Sequence, residues 1–219
     1  MKILAWSLLL FLLPGMEAAE ELEVTYEVFS LPMSEAAKLR RAKLGGEKAY
    51  ERILDWLKKK KIRQEQFTVV KLLGEVSSMA EEVQEYIFPT EYEGRWYCLG
   101  QGSGIGVFAP PPPLPTWPEV TAFDTKNLGQ TLDIEVRRAG AFCHVRMRPT
   151  KIGFTAIDAF GRGISQVEMA RFSIQTLSTE FEAALNKPVL VGTISPPRHL
   201  QEAGEKRVWL AFLTCRQSG

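Results

Sequence analysis

The sequence predicts a mainly β protein of the α+β class, built from antiparallel strands and hairpins, with one amphipathic helix pair near the amino terminus. Three observations predict it. Leu132, Ile134 and Val136 alternate with Asp133, Glu135 and Arg137, a period of two that marks a half-buried strand. Ala139-Gly140 follows as a turn, because glycine accepts the positive φ of a tight hairpin, and Cys143, Val145 and Met147 then alternate with His144, Arg146 and Arg148. Around Gly45-Gly46 the period changes to that of helices: in the second of two pieces Ala49, Ile53 and Leu57 share a face with Tyr50 and Leu54.

Residues 1–19 read as a secretory signal peptide. Lys2 gives a short positive region, residues 3–13 are an apolar run, Pro14-Gly15 breaks it, and the small residues Ala18 and Ala19 follow. The run is shorter than the ~20 residues of a membrane-spanning helix, and an uncleaved amino-terminal anchor is the alternative. The remainder, 20–216, is of a length that suits a single domain. With 27 Lys and Arg against 26 Asp and Glu, the net charge is +1, so no nucleic-acid partner is expected.

Val24, Tyr26 and Val28 alternate with Glu23, Thr25 and Glu27, which is a strand; Pro32 ends it and Ser34 is positioned to cap the first helix. The helix pair closes on Lys58-Lys59-Lys60-Lys61, read as a solvated helix end that favours the dipole. A strand over 66–73 has Phe67 and Val69 on one side and ends at a Gly74-Glu75 turn. Residues 79–88 conflict locally: Met79, Val83, Tyr86 and Ile87 fit a helix that Ser78 and Glu81 would cap, and 81–88 ahead of Pro89 fits a strand equally. Residues 94–118 read as a Gly/Pro-rich loop. Gly100, Gly102, Gly104 and Gly106 are followed by Pro110 to Pro113, and polyproline forbids the helix that a phosphate cradle needs.

Beyond the first hairpin, 151–160 reads as a further strand, with Gly161-Arg162-Gly163 as a flexible connection. Phe172 and Ile174 alternate in one phase, and Leu177, Thr179, Phe181 and Ala183 in the other, which predicts a bulge. Asn186-Lys187 is a turn, 189–193 a strand ended by Pro196-Pro197, and 198–205 a polar loop. The last strand, 208–214, is apolar on both faces and so central or covered.

No residue is singled out as catalytic, cofactor-binding or metal-ligating. His144 and His199 lack metal-ligand spacing, Asp124, Asp133 and Asp158 are isolated, and neither a nucleophile elbow nor a zinc-protease motif is present. The expectation is a protein that is not an enzyme and carries no cofactor. Cys98, Cys143 and Cys215 are odd in number, so one thiol stays free or pairs between chains. Cys143 and Cys215 are candidate neighbours; small buried hydrophobes are the equal alternative, and the pairing stays open.

Tyr86-Ile87-Phe88-Pro89-Thr90-Glu91-Tyr92-Glu93, then a proline-rich gap, then Thr121-Ala122-Phe123-Asp124-Thr125-Lys126-Asn127-Leu128-Gly129-Gln130-Thr131-Leu132 form a phrase. Arg171-Phe172-Ser173, Leu177-Ser178-Thr179 and Pro188-Val189-Leu190-Val191-Gly192 continue it. In this order they resemble the channel domain of bacterial secretins of type II and III secretion systems, closest to the planctomycete and verrucomicrobial type and truncated. Thr193 stands where that family commonly has a second glycine. The resemblance implies that 81–88 is a strand. It also implies a periplasmic or outer-membrane protein, acting in protein secretion or outer-membrane assembly through strand-mediated association as a homo-oligomer or with other envelope proteins. The alternative is a soluble periplasmic binding module of the same fold, meeting its partner through the proline-rich loop or Trp96, Tyr97 and Trp117.

Overall fold

The computed structural model describes residues 21–74, 76–97, 114–197 and 206–217. The expected signal peptide, Glu75, Cys98, the glycine and polyproline runs and His199 lie outside them. The chain runs β1 (Glu21–Pro32), α1 (Met33–Arg41), α2 (Gly46–Lys58), β2 (Arg63–Leu73), β3 (Val76–Tyr97), β4 (Leu114–Ala139), β5 (Phe142–Phe160), β6 (Val167–Thr176), β7 (Thr179–Ala184), β8 (Val189–Ile194) and β9 (Arg207–Gln217). Mainly β with two helices is thus the observed class.

Two antiparallel sheets pack face to face. The first has the order β2-β1-β9-β8; the second has the order β3-β4-β5-β6, with β7 also on β5. Period two explains the layering. Along β1, Leu22, Val24, Tyr26 and Val28 meet the second sheet, while Phe29 and Leu31 turn to the helices. Along β9, Trp209, Ala211, Leu213 and Cys215 face the second sheet, and Leu210 and Phe212 face the helices. The strand expected to be central or covered is both. Leu132, Ile134 and Val136 of β4 and Cys143, Val145 and Met147 of β5 complete the inter-sheet core. On the helix side, Leu39, Ala49, Ile53 and Trp56 bury the other face of the first sheet. Trp56 extends the expected helix face, while Leu57, Tyr50 and Leu54 are only partly buried against it.

Several expectations are corrected. Ser34 does not cap α1: Pro32 holds the cap position without a side-chain hydrogen bond, so Ser34 lies inside the first turn. In β2 Phe67 and Val69 do share a side, and it is the exposed one, the buried residues being Val70 and Leu72. The strand expected over 81–88 is present within one strand, 76–97, and the competing local helical pattern at 79–88 is overridden by pairing with β4. The edges of the expected 94–118 loop are ladder as well: Gly94 pairs with Pro118, Trp96 with Pro115 and Tyr97 with Leu114. The two strands expected over 143–147 and 151–160 are one, β5, which continues through Pro149 because Leu132 of β4 pairs across it. The phase change after Ile174 is a break between strands rather than a bulge. Met147 pairs with Thr179 and Thr150 with Thr176, so two residues face two, and β6 and β7 line the same edge of β5 in succession.

Candidate association surface

What the fold leaves unpaired is backbone edge. In the second sheet each of β3 and β6 has a ladder partner on one side only among the described residues. β3 has 22 residues and β4 26, where a typical strand has about five or six. At ~3.3 Å per residue such a hairpin reaches well past the shared core. The core ends where β4 meets β5, whose ladder runs only from Gly129–Ile152 to Ala139–Phe142. Beyond it, β3 with β4 and β5 with β6 continue as two hairpins.

These two hairpins touch through aromatic rings. Tyr86 and Phe88 of β3 meet Phe154 of β5 and Phe172 of β6. The centroid separations are 5.4 Å for Tyr86–Phe154, 5.0 Å for Phe88–Phe172 and 5.9 Å for Tyr86–Phe172. The Tyr92 hydroxyl donates to the Glu168 carbonyl, joining β3 to β6 side chain to backbone. The sheet therefore curls until its two edge strands approach without a ladder between them. Arg171 holds Asp158 across the β5–β6 pair in a two-point ion pair, with Nε at 2.7 Å from the carboxylate.

The outside of the hairpins is apolar in places where a closed monomer needs no apolar surface. Met79, Val83, Ile87, Phe123, Ile157, Phe160, Met169 and Ile174 are all exposed. Trp117 is 74% exposed, as its expected role in contact requires, whereas the side chains of Trp96 and Tyr97 lie outside those described. Charge on the edge is uneven. Over 76–94 β3 carries Glu81, Glu82, Glu85, Glu91 and Glu93 and no basic residue, while β6 carries Glu168 against Arg171.

The remaining candidates fall elsewhere. Cys143 and His144 face opposite sides, as adjacent strand residues must. Cys143 is in the core, and His144 lies outside with Nε2 3.2 Å from Glu180. Beside it Arg137 bonds Glu135 at 2.6 Å, so this face is a charge ladder across β4, β5 and β7. No group of three or more His, Cys, Asp or Glu that could hold a metal is found among the described residues. Cys143 and Cys215, candidates as neighbours, both lie fully buried in the one core cluster between the two sheets. A cleft of about 470 Å³ opens between α1 and the β8–β9 edge, lined by Met33, Ala37, Leu44, Leu190 and Phe212, with Arg40 and Lys43 beside it. The buried carboxylate of Glu27 accepts from Tyr50 Oη at 2.5 Å and Gln64 Nε2 at 2.9 Å.

The aromatic contact is not legible in the sequence. Tyr86 and Phe88 alternate as strand neighbours on one face do, but nothing local ties them to Phe154 and Phe172. No described helix is long and apolar enough to cross a membrane, which does not bear on strands. No family model matches the chain, and no match is found among curated proteins or solved structures.

Proposed function

We propose that this is a non-enzymatic, exported envelope protein, similar to the secretin channel domain, that acts in protein secretion or outer-membrane assembly by joining like sheets edge to edge. One observation carries the reading: the second sheet ends in two strands, β3 and β6, whose outer edges have no ladder partner among the described residues, while apolar side chains stand exposed beside them. An unpaired edge is a template for another strand. Edge charge supports the direction of joining. Five glutamates on β3 repel a second β3, whereas the balanced β6 does not, so the favoured contact is β3 of one copy on β6 of the next. Such a head-to-tail contact generates a ring if the rotation closes. Strands of 22 and 26 residues also exceed the ~9–11 that a membrane-crossing strand needs.

A second reading has its own observation. The aromatic cluster and the Tyr92–Glu168 bond close the sheet on itself, which favours a self-contained, soluble periplasmic binding module. Native mass of the chain from residue 20 onward, with and without detergent, separates the two. A discrete large oligomer supports edge-to-edge joining. A monomer under both conditions and at high concentration sinks it and leaves the binding module.

A further inference from the structure

We propose that Cys143 and Cys215 are the site of a disulfide that joins the two sheets through their shared core, formed by exchange with a small-molecule disulfide before that core closes. Cys143 sits on β5 in the second sheet and Cys215 on β9 in the first, so the bond would cross-link layers that no backbone ladder connects. Both residues are fully buried in one apolar cluster with Val24, Val145 and Ala183. The end of β7 lies beside both, since Ala183 pairs with Cys143 and Asn186 bonds the Cys215 carbonyl. Local anchoring holds them in place. Cys143 pairs with Arg138 of β4 on one side and with Ala183 of β7 on the other. The Cys215 carbonyl accepts from the Asn186 amide at 2.8 Å, just past the end of β7. A disulfide would bring the two sulfurs to the ~2 Å of an S–S bond.

The Cys143 thiolate attacks one sulfur of R–S–S–R, forming a mixed disulfide and expelling RS⁻. The Cys215 thiolate attacks the Cys143 sulfur and expels the second RS⁻. Two protein S–H bonds and one R–S–S–R bond are broken; one protein S–S bond forms, and the two protons end on two RSH molecules. The protein is oxidised and the small disulfide reduced. Timing follows from burial. With both sulfurs out of reach of solvent and burial pushing both thiols up, the folded dithiol is a poor nucleophile, so the exchange belongs to folding. An oxidising compartment is where such a bond forms and persists. The bond lies in the core and is independent of the association proposed above, since thiol state and native mass are separate measurements.

The test refolds the full chain in a mixture of reduced and oxidised glutathione, blocks remaining thiols with N-ethylmaleimide in denaturant, and digests with trypsin. The expected product is the peptide 139–146 linked to 208–216, with Cys98 carrying the label. Three labelled cysteines, or a link that includes Cys98, overturn the proposal. The bond closes a loop of about 70 residues, so oxidised protein is expected to melt about 10 °C above reduced protein. That difference persists in Cys98→Ala and disappears in Cys215→Ala. Oxidised protein that melts with the reduced form also overturns it. If Cys215→Ala does not fold, the wild-type and Cys98→Ala comparisons still decide.

Discussion

Glu27 lies 6% exposed on the helix-facing side of β1, where a carboxylate is costly without partners. Tyr50 and Gln64 are those partners, one from α2 and one from β2, so a single side chain ties three elements. Burial first, then the bond to Glu27, raises the Tyr50 hydroxyl above its ordinary range and keeps it the donor. Tyr50→Phe removes this donor and leaves the carboxylate with Gln64. A loss of about 1–3 kcal/mol in urea unfolding is expected, and a loss under about 0.5 kcal/mol would show that the bond carries little. In the reduced protein, alkaline pH acts on the core between the sheets. Burial, then the neighbouring Cys143, pushes the Cys215 thiol from 9.0 up to about 12. A group raised on folding contributes stability that is complete below its unfolded value and is lost as pH climbs to the folded one. The urea midpoint should therefore fall from pH 9 toward pH 12, with the buried Tyr26 and the partly buried Tyr50 adding the same sign above pH 10. A midpoint that is flat across this range refutes the assignment.

At the scale of elements, Gly129 is where the long hairpin depends on one residue. It holds φ at +138°, and a Cβ there would lie 2.0 Å from the Glu82 carbonyl oxygen and 2.9 Å from Val83 Cα. It is also where β4 first pairs with β5 as well as β3, so the β3 backbone must come close. Gly129→Ala is expected to cost about 3 kcal/mol or more, with hydrogen exchange rising along β3 and β4 before β1 and β9. Uniform acceleration over both sheets would contradict a local origin. Neighbouring stretches show where the sequence is legible. Alternation names the core of β4 and β5, because there one face meets apolar neighbours and the other does not, while the unbroken apolar run of β9 marks a strand covered on both faces. It leaves 79–88 undecided, where both faces are largely exposed and the strand is held by its ladder to β4 rather than by burial. It splits β5 at Pro149, since a missing N–H reads as an end, though here the strand simply continues past it. Of the exposed aromatic residues, Trp117 is legible. The Tyr86–Phe154–Phe172 contact is not, because residues so far apart along the chain leave no local period.

For the whole molecule, the proposed edge-to-edge joining has to compete with a sheet that curls on itself. The two states compete for the same strands. In the curled state the described contacts between β3 and β6 are ring contacts and the Tyr92–Glu168 hydrogen bond rather than a ladder. Joining β3 of one copy to β6 of another supplies backbone bonds along the strand, offset by the loss of those ring contacts and by the entropy of association. Weakening the curl alone should therefore shift the balance. Phe172 makes three of the ring contacts, to Tyr86, Phe88 and Phe154, and lies on β6 itself. Phe172→Ala is expected to move native mass toward larger species at a protein concentration where the unaltered chain is mostly monomeric. Adding a positive charge to the β3 edge gives a second arm. Glu85→Lys lowers the repulsion between two β3 strands, so it should permit a β3–β3 dimer that the native charge disfavours. If Phe172→Ala folds, shown by an unchanged β-type circular dichroism spectrum, and stays monomeric at every concentration tested, the edges are not the joining surface. The curled sheet is then the functional state, and the exposed apolar residues of its hairpins are where a different protein must be sought.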